Sequence, residues 1–168
     1  NLQEVMKQRP VDSPGNPRAP YGPLTGGDDG LVGLADVDFA GDASSRLGFR
    51  SFDTNQDIDL LISPDRATPA VHNAALSYVS VTRNHEVFFI ADPPAGLDAE
   101  GINQYVVVTA ALKNTTEHAA IYWPRVKVLN PAKSVFGSSE QLVVPPSGIV
   151  AGVYSRTDSA RPGGVYDP

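Results

Sequence analysis

"VFFIAD", residues 87–92, is the stretch that decides the fold. Its apolar residues follow one another without polar alternation. A strand of that kind is buried on both faces, as in a parallel sheet covered by helices. Upstream, "DIDLLIS" (57–63) is a second short, largely apolar run and reads as a buried strand. The connection between the two, "SPDRATPAVHNAALSYVSVTRNHE" (63–86), predicts an amphipathic helix. Thr68 is its N-cap and Pro69 its first helical residue, where a missing N–H costs nothing. Val71, Ala74, Ala75, Tyr78 and Val79 recur at the spacing of one buried helical face.

The same alternation continues downstream. "PPAGLDAEGINQYVVVTAALKN" (93–114) predicts a helix that is apolar nearly all round between Val106 and Leu112. "AAIYWPRVKVLN" (119–130) reads as a third strand, bent or ended near Pro124. "QLVVPPSG" (141–148) leads into a last helix, with Ser147 as N-cap and an apolar stripe of Ile149, Val150, Val153 and Tyr154. The order β-α-β-α-β-α, with crossovers long enough for parallel strands, predicts an α/β three-layer sandwich with a small, mostly parallel sheet. Prolines at 10, 14, 17, 20 and 23 deny the first thirty residues a helix and remove ladder donors from any strand. Residues 1–50 are therefore read as an extended Gly/Pro-rich arm and loop, and residues 51–168 as the α/β domain.

Composition narrows the function classes. The chain has 168 residues, 41% of them hydrophobic and 19% charged, which suits a globular domain. No apolar run approaches the ~20 residues that span a bilayer, and no membrane partner is expected. No signal peptide is visible, although the first residue is Asn1 rather than Met. The absence of cysteine excludes a disulfide framework and thiolate metal sites within these residues. A net charge of −6 argues against a face that grips nucleic acid through its phosphates.

In open α/β sheets, ligands bind beyond the carboxyl ends of the strands. Asp65 in "SPDRA" and Asp92 in "IADPP" fall there. As a pair they would hold Mg²⁺ for a metal-dependent hydrolase or phosphatase-like activity. As single residues beside proline they are turn formers, and no phosphate loop or third acid completes the site. His72 borders the apolar face of its helix, while His85 and His118 fall in helix-to-strand turns. No serine lies in a GxSxG elbow and no histidine in HExxH. "LTGGDDGLVGLADVD" (24–38) lacks both the acid spacing of a calcium loop and the preceding strand of a dinucleotide fingerprint. No catalytic residue, metal site or cofactor is expected.

Five stretches, in order, resemble the tail sheath proteins of contractile bacteriophages and related particles. These are "LTGGDDGLVGLADVDFAG" (24–41), "FDTNQDIDLLISPD" (52–65), "VFFIADPPAG" (87–96), "AAIYWPRVKVLNP" (119–131) and "VPPSGIVAGVYSRTDSARPGG" (144–164). The resemblance implies the family's subtilisin-like α/β domain, a label of fold similarity that carries no catalytic residue here. It implies a non-enzymatic structural subunit that stacks in six-fold rings around an inner tube and contracts to drive that tube through a cell envelope. Its partners would be copies of itself, the tube protein, and baseplate and tail terminator proteins. Its location would be the virion tail, assembled in the bacterial host cytoplasm. The family's C-terminal domain normally follows this helix, so the chain is expected to be a fragment, monomeric when isolated. Arg156, Asp158 and Arg161 would then lie at the junction, available for interdomain or intersubunit ion pairs; alternatively they are a solvated helix end.

Overall fold

The computed structural model describes residues 11–13, 16–17, 30, 32–113, 116–131, 137 and 139–160. The chain divides into two units, Asn1–Leu34 and Ala35–Pro168. In the first, β1 (Val11–Ser13) pairs antiparallel with β2 (Asn16–Pro17). A two-stranded ribbon consists of edges only, which is where a proline is tolerated in a sheet.

The second unit is mixed α/β. A three-stranded parallel sheet has the order β3-β4-β5, built from Leu60–Ile62, Phe88–Ala91 and Ala119–Ile121. Leu61 faces Phe89, and Phe89 faces Ala119, in consecutive registers. A separate antiparallel pair joins β6 (Val126–Leu129) to β7 (Gln141–Val144). The run 119–130 therefore divides between two sheets, and the division falls at Pro124, which follows a cis peptide bond and offers no N–H to a ladder.

The first crossover begins as its sequence predicts. Helix α2 (Pro69–Ser77) has Thr68 as N-cap, its side chain accepting from the Val71 N–H at 3.3 Å. Val71, Ala75, Tyr78 and Val79 are buried against Leu61, Phe89 and Phe49. The last turn, Tyr78–Thr82, widens to a π-helix. The second crossover repeats this plan on a smaller scale. Asp98 caps α3 (Ala99–Gln104) by accepting from the Gly101 N–H at 2.8 Å, and Tyr105–Thr109 forms another π-helical turn. Here the all-round apolar run does not translate into all-round burial. Tyr105 and Ala110 are buried, whereas Val107 and Val108 are 42% and 67% exposed.

Two segments before β3 complete the core. Helix α1 (Asp36–Ala40) presents Phe39, and a 3₁₀ turn at Gly48–Phe52 buries Phe49. Gly41 and Gly48 take φ of 68° and 56°, and a Cβ on either would strike backbone of the opposite arm, Leu47 O at 1.7 Å or Phe39 O at 2.3 Å. Glycine is thus required at both ends of this tight loop. Asp36 ties α1 to the first crossover: it accepts from the Thr68 hydroxyl at 2.9 Å and pairs with Arg66 at 3.3 Å.

Helix α4 (Ser147–Ala160) contacts β4 and β3. Only part of its predicted stripe is covered. Val150 and Tyr154 are half-buried, Tyr154 lying 6.0 Å from the Phe88 ring and bonding to the Tyr122 hydroxyl. Ile149 and Val153 stay 44% and 43% exposed.

Candidate functional site

The carboxyl ends of β3 and β4 are where an α/β fold would carry chemistry, and both acids expected there have structural partners. Asp92 follows β4 and is 1% exposed. One carboxylate oxygen accepts from the Ser147 N–H at 2.8 Å and the other from the Ser147 hydroxyl at 2.7 Å. Ser147 therefore opens α4 as a donor rather than as the accepting cap its position suggested. The carboxylate sits where the free N–H groups of a helix favour negative charge. Asp65 lies in the turn after β3 with φ of 64°, its side chain 71% exposed, and pairs with Arg125 from the β5–β6 turn. Among the described residues no three His, Cys, Asp or Glu side chains are arranged to hold a metal ion.

An open recess of about 430 Å³ is lined by Thr68, Pro69, Pro94, Leu97, Gln104 and Tyr105 among others, and by neither acid. Tyr105 of that lining bonds to His72. His72 is fully buried, its ring edge-on to Phe89 and Tyr105 at 6.0 and 5.8 Å. The Tyr105 oxygen lies 2.9 Å from His72 Nδ1 and 3.2 Å from the Ala67 carbonyl. A carbonyl only accepts, so the phenol proton is assigned to Ala67 and Nδ1–H donates to the phenol oxygen. Nε2 is then an unprotonated nitrogen with no hydrogen-bond partner. Burial lowers the imidazole pKa to about 4, and burial raises the Tyr105 phenol to about 12. A second, apolar cavity of about 90 Å³ flanks His72, walled by Leu76, Ala91, Val106 and Ile121. An imidazole kept neutral and locked to a phenol is a packing element with a polar seam.

The remaining histidines come together. The rings of His85 and His118 are 4.4 Å apart at the opposite, amino-end edge of the sheet. Of the candidate junction residues, Arg156 and Asp158 are exposed on α4, and Arg161 lies outside the described residues. Two polar anchors had no sequence signal of their own. One is the Asp92–Ser147 link. The other is Arg83, 4% exposed, whose guanidinium donates to the Phe52 and Asn55 carbonyls at 2.9 and 2.7 Å.

A scan against protein-family models matches none of them, and a search of curated proteins returns no match.

Proposed function

We propose that the chain is a structural subunit of a contractile tail sheath, which polymerises as stacked six-fold rings around an inner tube and drives that tube through a cell envelope on contraction. The observation that carries the reading is the ordered series of five sheath-like stretches between residues 24 and 164. Four of them coincide with β3, β4, β5 with β6, and α4. The resemblance thus falls on the framework of the fold and not only on its loops. The reading takes the second unit as a three-layer sandwich, preceded in the sequence by an extended N-terminal arm. In support, Phe89 and Ala91 of β4 belong to the core with α2, while Phe88, which alternates with them along the strand, meets Tyr154 of α4.

On this reading the protein is not an enzyme, its partners are copies of itself, the tube, and baseplate and terminator proteins, and it resides in the virion tail. Force comes from two packings of the same subunits that differ by a few kcal/mol each, with no nucleotide cycle. Its candidate contact residues are Arg156 and Asp158 on the last helix and, by sequence, Arg161. The competing reading, a metal-dependent hydrolase at Asp65 and Asp92, would have to use one carboxylate already bonded to Ser147 and another paired with Arg125.

The test is negative-stain electron microscopy of the complete gene product expressed alone and with candidate tube protein. Striated tubes or stacked rings are expected. Isolated globular particles under both conditions, at every salt and protein concentration, would overturn the reading.

A further inference from the structure

We propose that His85 and His118 together form a binding site for a first-row divalent cation of borderline softness, Zn²⁺ foremost, at the amino-end edge of the parallel sheet. The two residues are distant in sequence and are brought together by the pairing of β4 with β5. Their ring centroids stand 4.4 Å apart with the planes inclined at 43°. Metal–nitrogen bonds of about 2.0–2.1 Å place the centroids of two imidazoles sharing one tetrahedral ion roughly 5 Å apart. The two rings are therefore near enough to share an ion once side-chain rotation parts them by less than about 1 Å.

The backbone beneath both rings is fixed. The His85 N–H donates to the Val79 carbonyl at 2.9 Å, closing the π turn, with His85 and Asn84 both left-handed at φ of 68° and 47°. The His118 carbonyl accepts from the Phe89 N–H at 2.9 Å, and the His118 N–H donates to Thr116 Oγ1 at 3.1 Å. The backbone positions of both ligands are thus set before an ion binds.

Access and chemistry agree. His85 is exposed and the His118 side chain is 31% exposed, so an ion reaches them from solvent. The Glu117 carboxylate lies 3.8 Å from His118 Nε2, and Glu86 is exposed beside His85. Two imidazoles among carboxylates, with no thiolate in the chain, select zinc, nickel or copper(II) over magnesium or calcium. The described residues provide no third preformed ligand, so water fills the remaining positions. The inference does not depend on the sheath reading, and the two fail separately.

The test is calorimetric titration of the tag-free 168-residue chain with zinc chloride at neutral pH, alongside ¹H–¹⁵N spectra of the histidine rings. One ion per chain is expected, with the ring signals of His85 and His118 shifting and those of His72 unmoved. His85→Asn, which tolerates the left-handed backbone, and His118→Asn should each weaken binding about tenfold or more. The wild-type ring spectra decide the matter even if a variant misfolds. No binding up to millimolar zinc, binding unchanged in both variants, or stationary His85 and His118 signals would each overturn the assignment.

Discussion

His72 illustrates how one side chain couples packing to pH. Its imidazole is wedged between Phe89 and Tyr105, with Nδ1 engaged by the phenol and Nε2 facing no acceptor. A proton added at Nε2 would be a buried charge without a partner, so burial pushes the pKa from 6.5 down to about 4. The unfolded chain takes up that proton below pH 6.5 while the folded chain resists it until about pH 4. Stability from this group is therefore complete above pH 6.5 and falls as the pH drops through that window, by up to about 3 kcal/mol. Urea unfolding at a series of pH values should show that slope, and His72→Phe should flatten it between pH 6.5 and 4, because Tyr105 keeps the Ala67 carbonyl as its acceptor. An unchanged slope in the variant would show that other groups set it. Asp42, held at about 2 chiefly by hydrogen bonds from the hydroxyls of Ser45 and Ser44, loses its contribution only below its ordinary value of 3.8 and lies outside this window.

Among the elements, α4 is attached to the sheet by one buried carboxylate. Asp92→Ala would leave the Ser147 N–H and hydroxyl without acceptors in a sealed site, at a cost of about 3 kcal/mol. Asp92→Asn keeps one acceptor and should lose roughly half as much. Denaturant midpoints would rank the three proteins, and amide exchange in residues 147–160 should rise selectively in the alanine variant. Equal midpoints for wild type and alanine would show that the tyrosine contacts alone seat the helix. None of this was readable from Asp92 in "IADPP", since a turn-forming aspartate and a helix-anchoring one look alike until residue 147 is known to lie beside it. What was legible follows local rules: the Thr68 cap with Pro69, the face from Val71 to Val79, and the continuous apolarity of β4 are all dictated by neighbours in sequence. The helix ends were not, for both crossovers close in π-helical turns with near-identical sequences, "YVSVT" at 78–82 and "YVVVT" at 105–109. In each, the leading tyrosine is buried at 4% and 6% exposure. Comparing those two segments would have revealed that the two βα units share a plan, whereas apolar periodicity alone marked the second as buried all round.

At the scale of the molecule, exposed apolar side chains are carried by several elements. Ile149 and Val153 project from α4, Leu129 and Val143 from the β6–β7 pair, each at least 43% exposed, and Val108 from the π-helical turn that follows α3. Single exposed apolar side chains are ordinary on a monomer, whereas a stable self-interface buries on the order of 1,600 Å² around a continuous apolar centre. By themselves these side chains are expected to leave the chain without a self-interface of that size. The chain should accordingly run as a 17.8 kDa monomer by light scattering at micromolar concentration, independent of salt. Ile149→Ser with Val153→Ser should leave that mass unchanged, since no contact between copies is being removed. A hexamer would contradict this reasoning, and its loss in the double variant would identify α4 as the assembling surface.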